Sequence, residues 1–333
     1  MQYTNFGPTG MVVSRLVLGG MTFGGRVSYD ESARIVDEAL DRGVNFIDTA
    51  ESYGRRDSSE DYLGRILAGK RDKVYLATKV YSRRAYDGRT QRNSRNNIIT
   101  SLERSLRLLR TDYVDLYQLH HPDPQTPLAE TLATLDRLVD AGKVRHVGVC
   151  NHYAWQAAYM LAAAGRRGGE PIVSMQCRYN ILDRPLERET LPFVRRFGLA
   201  TMMYSPLCEG LLTGKYKRDE PPPAGSRGTQ NPLVAEALKD PRVFDIIDRL
   251  GPIAERNDLS LPQLAMLWVL ARPGVTTAIM GGSKPEHYRL MLDIADRELP
   301  EEDTAAIDEL SADRADRPFV NQPRVEGAPP MAW

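Results

Sequence analysis

The sequence predicts an α/β protein: a closed (β/α)8 TIM barrel with an N-terminal hairpin and long βα loops at its C-terminal face. Three observations predict it. Eight short, nearly continuous apolar runs recur along the chain, as expected of strands buried on both faces. Amphipathic stretches of helical period separate them, and the alternation fills roughly 280 residues, about what such a barrel needs. No Gly-x-Gly-x-x-Gly follows the first run, which argues against the rival architecture, a doubly wound open sheet. The stretch "LGGMTFGG" (18–25) is glycine-rich at a different spacing.

The elements follow in order. The start, "MQYTNFGPTGMVVS", reads as a hairpin with Pro8-Thr9-Gly10 in its turn, placed to plug the barrel floor. The strands are "RLVLGGM" (15–21), "VNFIDTA" (44–50), "VYLATKV" (74–80) and "YVDLYQLH" (113–120), then "VRHVGVC" (144–150), "IVSMQCRYN" (172–180), "LATMMYSPL" (199–207) and "TTAIMGG" (276–282). In "SARIVDEALDRG", Ile35, Ala39 and Leu40 fall on one helix face, and Gly43 is the stop signal. The longest irregular segment, Cys208 to Asp240, contains "PPPAGSRGTQNP" and exceeds a plain connection, so it is expected to be functional or mobile. No repeat, low-complexity tract or linker divides the chain, so residues 1–333 read as one domain with a C-terminal tail from about 316.

Bulk properties exclude several classes of function. Lys plus Arg, 44, equals Asp plus Glu, 44, which gives no reason to expect nucleic acid or an anionic membrane as partner. The N-terminus lacks the basic segment and apolar core of a signal peptide. The longest apolar stretch, "LPQLAMLWVLA", is about half of what a membrane span needs. Cys150, Cys177 and Cys208 are odd in number and far apart; they fit a reduced, cytoplasmic protein without metal-ligand spacing.

In a (β/α)8 barrel, chemistry gathers at the C-terminal ends of the strands. Strand 2 ends at Asp48 and Tyr53, strand 3 at Lys79, and strand 4 at His120 and His121; strands 5 to 7 end at Cys150-Asn151, Gln176 with Asn180, and Tyr204-Ser205. An isolated charge among apolar strands is costly, and pairing Asp48 with Lys79 offsets that. A lysine beside a tyrosine favours the phenolate, so Lys79 and a histidine are expected to tune Tyr53 downward as a general acid. Each residue alone has a plainer reading: Asp48 a helix cap, Tyr53 a packed aromatic, Lys79 a solvated strand end, either histidine structural. Four titratable groups at three successive strand ends are a more specific signal than any one of them.

These residues resemble the aldo-keto reductase superfamily. The motifs that carry the resemblance are "FIDTAESYG", "LATKV", "DLYQLHHPDP", "VRHVGVCNH" and "YSPLCEGLLTGKY", and it runs from "VSRLVLGGMTFGG" to "IMGGSKPEH". The texture is closest to the branch containing potassium-channel β-subunits and bacterial sugar and polyketide ketoreductases. "YQLHHPD" resembles actinobacterial deoxysugar and antibiotic tailoring enzymes. The resemblance implies a tetrad of Asp48, Tyr53, Lys79 and His120, the histidine directly after "LYxL" being chosen over His121.

It also implies NADPH (NADP+), bound extended without a Rossmann fold. Gly20 and Met21 would line the cofactor, and Asn151 and Gln176 would hold the carboxamide, with Cys150 where the family usually has serine. Tyr204 would stack on the nicotinamide. Ser205, Leu207 and Gly210 would offer backbone to the pyrophosphate, and Lys215 and Arg227 would reach the phosphates. Around the adenosine would stand Gly281, Ser283, Lys284, His287 and Arg289. "GGSKPEH" reads independently as a helix start, with Ser283 as N-cap, Pro285 in the first turn and Glu286 completing a capping box. Such an N-terminus suits an anion, and Lys284 and Arg289 add charge for a 2′-phosphate. One departure stands out: His287 replaces a usual glutamine, and Leu290-Met291 a Glu-Asn pair.

The implied function is NADPH-dependent reduction of a small-molecule ketone or aldehyde, in sugar or polyketide tailoring, by a homo-oligomer of tetramer size or larger. Phe23, Tyr81, His121 and Tyr153 would line the substrate pocket. Two alternatives stay open. One is a 2,3-enoyl reductase of a nucleotide-linked deoxysugar, its diphosphate drawn by the basic loop "YSRRAYDGRTQRNSR" (81–95); the other is a cofactor-bound, non-catalytic regulatory subunit.

Overall fold

The computed structural model describes residues 1–54, 58–80, 83–84 and 90–315. A hairpin, β1 (Tyr3–Asn5) and β2 (Val12–Ser14), precedes β3 (Leu16–Gly19), α1 (Tyr29–Asp41), β4 (Phe46–Asp48), α2 (Ser59–Ile66) and β5 (Tyr75–Val80). A small antiparallel pair, β6 (Arg83–Arg84) and β7 (Thr90–Gln91), leads to α3 (Arg95–Leu109). Then come β8 (Val114–Leu119), α4 (Leu128–Asp140), β9 (Val144–Cys150), α5 (Ala154–Arg167), β10 (Ile172–Arg178), α6 (Thr190–Phe197) and β11 (Ala200–Tyr204). The chain continues through α7 (Arg227–Gln230), α8 (Pro232–Ala237), α9 (Pro241–Arg256), α10 (Leu261–Ala271), β12 (Thr277–Met280), α11 (Pro285–Leu292) and α12 (Glu301–Leu310).

Eight parallel strands close in the order β10-β11-β12-β3-β4-β5-β8-β9, the expected (β/α)8 barrel. All eight apolar runs became strands; the run 144–150 is β9 at its full predicted length, and the other seven are shorter. The ladder ends early at the C-terminal side, where Gly20, Thr49 and Ser205 leave it for the loops. The predicted face of α1 holds: Ile35 and Ala39 are buried and Leu40 half-buried, while Ser28 and Glu31 form a capping box at its start. The apolar stretch 261–271 is α10, packed in the core by Leu264, Met266 and Trp268. Among the described residues no helix is long and apolar enough to cross a membrane. The segment 208–240 holds a 3-10 turn (Cys208–Thr213) and the short helices α7 and α8. The tail from 316 lies outside the described residues.

The N-terminal hairpin seals the floor. Phe6, Met11 and Val13 are buried in a cluster with Val17, Phe46, Leu116, Ala200 and Met202 at the N-terminal ends of the strands. Phe6 meets Phe46 edge to face at 5.2 Å. Gly7, at φ +55°, lies so close to the barrel that a Cβ would come within 2.7 Å of the Ala200 amide.

A second close approach joins α2 to α3. A Cβ on Gly64 would strike the Leu108 carbonyl and stand 2.7 Å from the Leu109 carbonyl carbon. Helix propensity alone favours alanine over glycine by about 1 kcal/mol. The contact reverses the sign: Gly64→Ala is expected to destabilise by about 1–3 kcal/mol, through overpacking. Urea unfolding of the two proteins measures this, and a stabilised variant would contradict the packing.

Candidate active site

The site starts from register. Leu18 pairs with Ile47, Asp48 with Ala77, and Lys79 with Gln118, which brings β3, β4, β5 and β8 to a common upper rim. Lys79 is fully buried. Its ammonium donates to Asp48 Oδ2 at 2.7 Å, the Thr49 carbonyl at 2.9 Å and the Tyr53 hydroxyl at 3.2 Å. All three protons of the ammonium are thereby used. Asp48 Oδ1 accepts from Gln176 Nε2 at 2.8 Å and from Gln118 Nε2 at 3.3 Å. His120 stands edge-on to Tyr53, ring centres 6.0 Å apart, and His121 stacks on His120 at 4.8 Å. The four residues of the implied tetrad are thus neighbours.

Their electrostatics differ from the expectation at one point. Tyr53 is pushed up to about 12: burial raises it, and the Lys79 charge pulls it back only in part. Desolvation of the phenolate outweighs the cation, which sequence alone cannot weigh. Lys79 would be lowered by burial, but the charge of Asp48 more than reverses this and holds it above the usual lysine range. His120 is held down at about 2 by burial, then by Lys79 and His121. At neutral pH the site therefore presents a protonated phenol, a charged ammonium and a neutral imidazole.

Beside the tetrad, the Tyr204 hydroxyl donates to Asn151 Oδ1 at 2.7 Å, and Asn151 Nδ2 donates to the His120 carbonyl at 3.0 Å. Asn151 adopts φ +60°, a conformation asparagine tolerates. Gln176 Nε2 donates to Asp48 Oδ1 and to Met202 Sδ, at 3.8 Å, while its Oε1 accepts from the Cys150 thiol at 3.5 Å. Gly20 ties β3 to the site, donating its N–H to the Asp48 carbonyl at 2.8 Å, while Met21 is half-exposed on the rim.

After β11 the chain crowds cations. Arg178 is buried; it donates to Asp183 at 2.7 Å and to Ser205 Oγ and Glu209, each at 3.2 Å. Arg227 pairs with Glu209. Burial, then the charges of Arg26 and Arg178, lower the Arg227 pKa. Lys215 folds over Gly210, its Nζ 2.7 Å from where a Cβ would stand. The Gly210 amide, expected to be open to a phosphate, donates instead to the Leu207 carbonyl at 2.9 Å.

The start of α11 departs from the predicted cap. Lys284 is the N-cap, Ser283 lies one residue outside the helix, and no capping box forms. Pro285 occupies the first turn and shifts the boundary. The Ser283 N–H donates to His287 Nδ1 at 3.2 Å, and His287 packs on Gly282. Arg289 is held by both oxygens of Glu38, at 2.8 and 2.9 Å, so the 2′-phosphate reader expected here has a resident partner. Gly281 is exposed. Met291 is buried and Leu290 half-buried against the core, so the departure at this pair serves packing.

Comparison with known proteins identifies the family. The profile of the aldo/keto reductase family matches residues 15–312. The chain belongs to the aldo/keto reductase family. It is 33% identical over 317 residues to the aldo-keto reductase YhdN of Bacillus subtilis, covering 93% of each chain. It is 36% identical over 301 residues to the oxidoreductase YrpG of the same organism, covering 87% of this chain and 89% of that one. A probable voltage-gated potassium channel subunit β of Oryza sativa is 33% identical over 293 residues, with 85% and 88% covered. The chain is thus an oxidoreductase of a family that works with nicotinamide dinucleotides, in the branch its motifs suggested.

In this aldo/keto reductase the residues expected to line a substrate pocket are partly described. His121 is half-buried, its carbonyl accepting from Asn93 Nδ2 at 3.0 Å. Tyr153 is the N-cap residue of α5 and half-buried. Phe23, expected in the pocket, is fully buried against Tyr288 and supports its loop from beneath. Tyr81 lies outside the described residues, as do Arg89 and the side chains of Arg83 and Arg84; Arg95 begins α3. Gln118, Arg178 and Glu209 were not singled out from sequence. Gln118 was detectable: it stands two residues before His120 in the predicted strand 113–120, hence on the same face of that strand.

All 5 histidines are held below the usual imidazole range, by burial first: His120 at about 2, His152 at about 4, and His121, His146 and His287 in the same direction. The unfolded chain takes up these protons near pH ~6.5 while the folded one does not, so stability falls as pH drops below that point. His120 alone contributes on the order of 2 kcal/mol of this loss between pH 6.5 and 5. Denaturant unfolding across that window should show a shallower loss in His120→Asn. An unchanged slope would mean that His120 is protonated in the fold.

Proposed function

We propose that the protein is an NADPH-dependent carbonyl reductase acting on a small-molecule ketone or aldehyde. One observation carries the reading: a fully buried Lys79 ammonium spans the Asp48 carboxylate and the Tyr53 hydroxyl, with neutral His120 beside the same phenol. Tyr53 hands its proton to the substrate oxygen, which leaves as an alcohol. Lys79 lowers the energy of the phenolate left behind, and Tyr53 then regains a proton from solvent. Asp48 keeps Lys79 charged and in place. His120 hydrogen-bonds the carbonyl oxygen and polarises it. The bound cofactor supplies the hydride.

The residues fit such a dinucleotide. Asn151 and Tyr204 form a bonded pair beside the tetrad, suited to the carboxamide and ring, with Gln176 Oε1 turned to Cys150. Arg26, Arg178 and Arg227 gather positive charge next to the Ser205–Gly210 turn, and Lys215 overlies it. At the adenosine end Lys284 has no carboxylate partner among the described residues, which supports NADPH over NADH even with Arg289 shared with Glu38. "YQLHHPD" supports a sugar or polyketide ketone as substrate, and three buried free cysteines support a reducing, cytoplasmic setting.

Tyr53→Phe tests the proton donor. It removes one hydroxyl and keeps the ring, so NADPH affinity should hold while single-turnover hydride transfer falls by ~10²–10⁴-fold. Lys79→Met should lose turnover too, and the double variant should be scarcely worse than either single, since the two act as one unit. Near-native transfer in Tyr53→Phe would sink the assignment. The branch resemblance further supports a homo-oligomer of tetramer size or larger; sedimentation at micromolar concentration should give one, and a monomer would remove the idea.

A further inference from the structure

Glu209 has no part in the mechanism above, yet the turn after β11 is built around it. Four residues of 205–210 have left-handed backbone: Ser205 (φ 58°), Cys208 (46°), Glu209 (57°) and Gly210 (96°). Only one is glycine, and such conformations persist in other residues where surrounding contacts over-determine them. The contacts here converge on the Glu209 carboxylate. It accepts from Ser205 Oγ at 3.0 Å and from Arg178 at 3.2 Å, and it pairs with Arg227. Arg178 has a second carboxylate, Asp183, at 2.7 Å. Arg227 has no other carboxylate partner among the described residues.

The donors that Glu209 takes are those a phosphate uses. Guanidinium and hydroxyl groups bind carboxylate and phosphate oxygens in the same way, by short charge-assisted hydrogen bonds. Ser205, Leu207 and Gly210, which flank Glu209, and Arg227, which pairs with it, are the residues assigned above to the pyrophosphate and phosphates. Two anions brought onto one donor set repel each other.

We infer that Glu209 is an affinity-determining residue of the cofactor cleft: its carboxylate competes with the dinucleotide pyrophosphate for Ser205 and Arg227. The inference rests on the cofactor reading proposed above. The pyrophosphate is common to NADPH and NADH, so this competition weakens both cofactors alike and leaves the choice between them to the adenosine end.

Glu209→Gln removes the charge and keeps the shape, and Asp183 still neutralises the buried Arg178. Titration of intrinsic fluorescence should show NADPH and NADH each binding about 10-fold more tightly, since a charge-assisted contact is returned to the ligand. The NADPH-to-NADH ratio should stay within about twofold, and the gain should shrink at high salt. Glu209→Ala provides the same reading should the glutamine variant fold poorly. Unchanged or weaker binding of both cofactors would mean that Glu209 orients Arg227 for the ligand, which overturns the competition. Tightening of NADPH alone would move the contact to the 2′-phosphate and overturn it as well. If the unaltered protein binds neither cofactor, the cofactor reading itself fails and the inference falls with it; unaltered binding with an unresponsive variant removes the inference alone.

Discussion

Lys79 carries a full charge in the interior of the barrel, and much of the upper rim answers to it. An ammonium withdrawn from water is tolerated only with a counter-ion and with its remaining protons placed. Asp48 is that counter-ion, and Thr49 and Tyr53 take the other protons. Asp48 in turn is buried and needs donors, which Gln176 and Gln118 supply. In the ring of eight strands β4 and β10 stand four places apart, so the Gln176–Asp48 bond crosses the lumen. One charge thus recruits side chains from β4, β5, β8 and β10.

The same charge sorts its neighbours. Tyr53 and His120 are both uncharged at neutral pH, and for different reasons. The phenol stays protonated because burial disfavours its anion more than Lys79 favours it. The imidazole stays unprotonated because burial and Lys79 act in the same direction. A cation beside an acid and a base opposes burial in the first and reinforces it in the second. Farther along the rim the arrangement inverts: around the 205–210 turn several cations share few carboxylates.

The barrel was legible because its strands are buried on both faces and read as apolar runs, each followed by a helix of clear period. The meeting of Asp48, Tyr53, Lys79 and His120 was legible because polar residues at apolar strand ends are conspicuous. What stayed hidden depended on burial depth or on distant partners. The sign of the Tyr53 shift is a contest of two effects that need coordinates to weigh. Arg289 looked free because Glu38, its partner, lies 251 residues away in the chain. Ser283 followed by Glu286 matched a capping pattern, yet the helix starts at Pro285 with Lys284 as its cap, one residue later than that pattern requires. Phe23 carried no mark distinguishing a pocket aromatic from a packed one.

The floor plug has a consequence for how the molecule is assembled. The hairpin precedes every strand of the ring, yet the surface it covers comes from β3, β4, β5, β8, β10 and β11, and the Gln2 N–H donates to the carbonyl of Ala295. The ring itself closes only where β12 pairs with β3, joining residues near 280 to residues near 17. During synthesis the hairpin therefore emerges long before most of the surface it covers. Contacts of such sequence separation must wait for loop closure and fold slowly. Phe6, Met11 and Val13 remain exposed through that interval, so the segment that finally seals the barrel is also the one most in need of protection during synthesis.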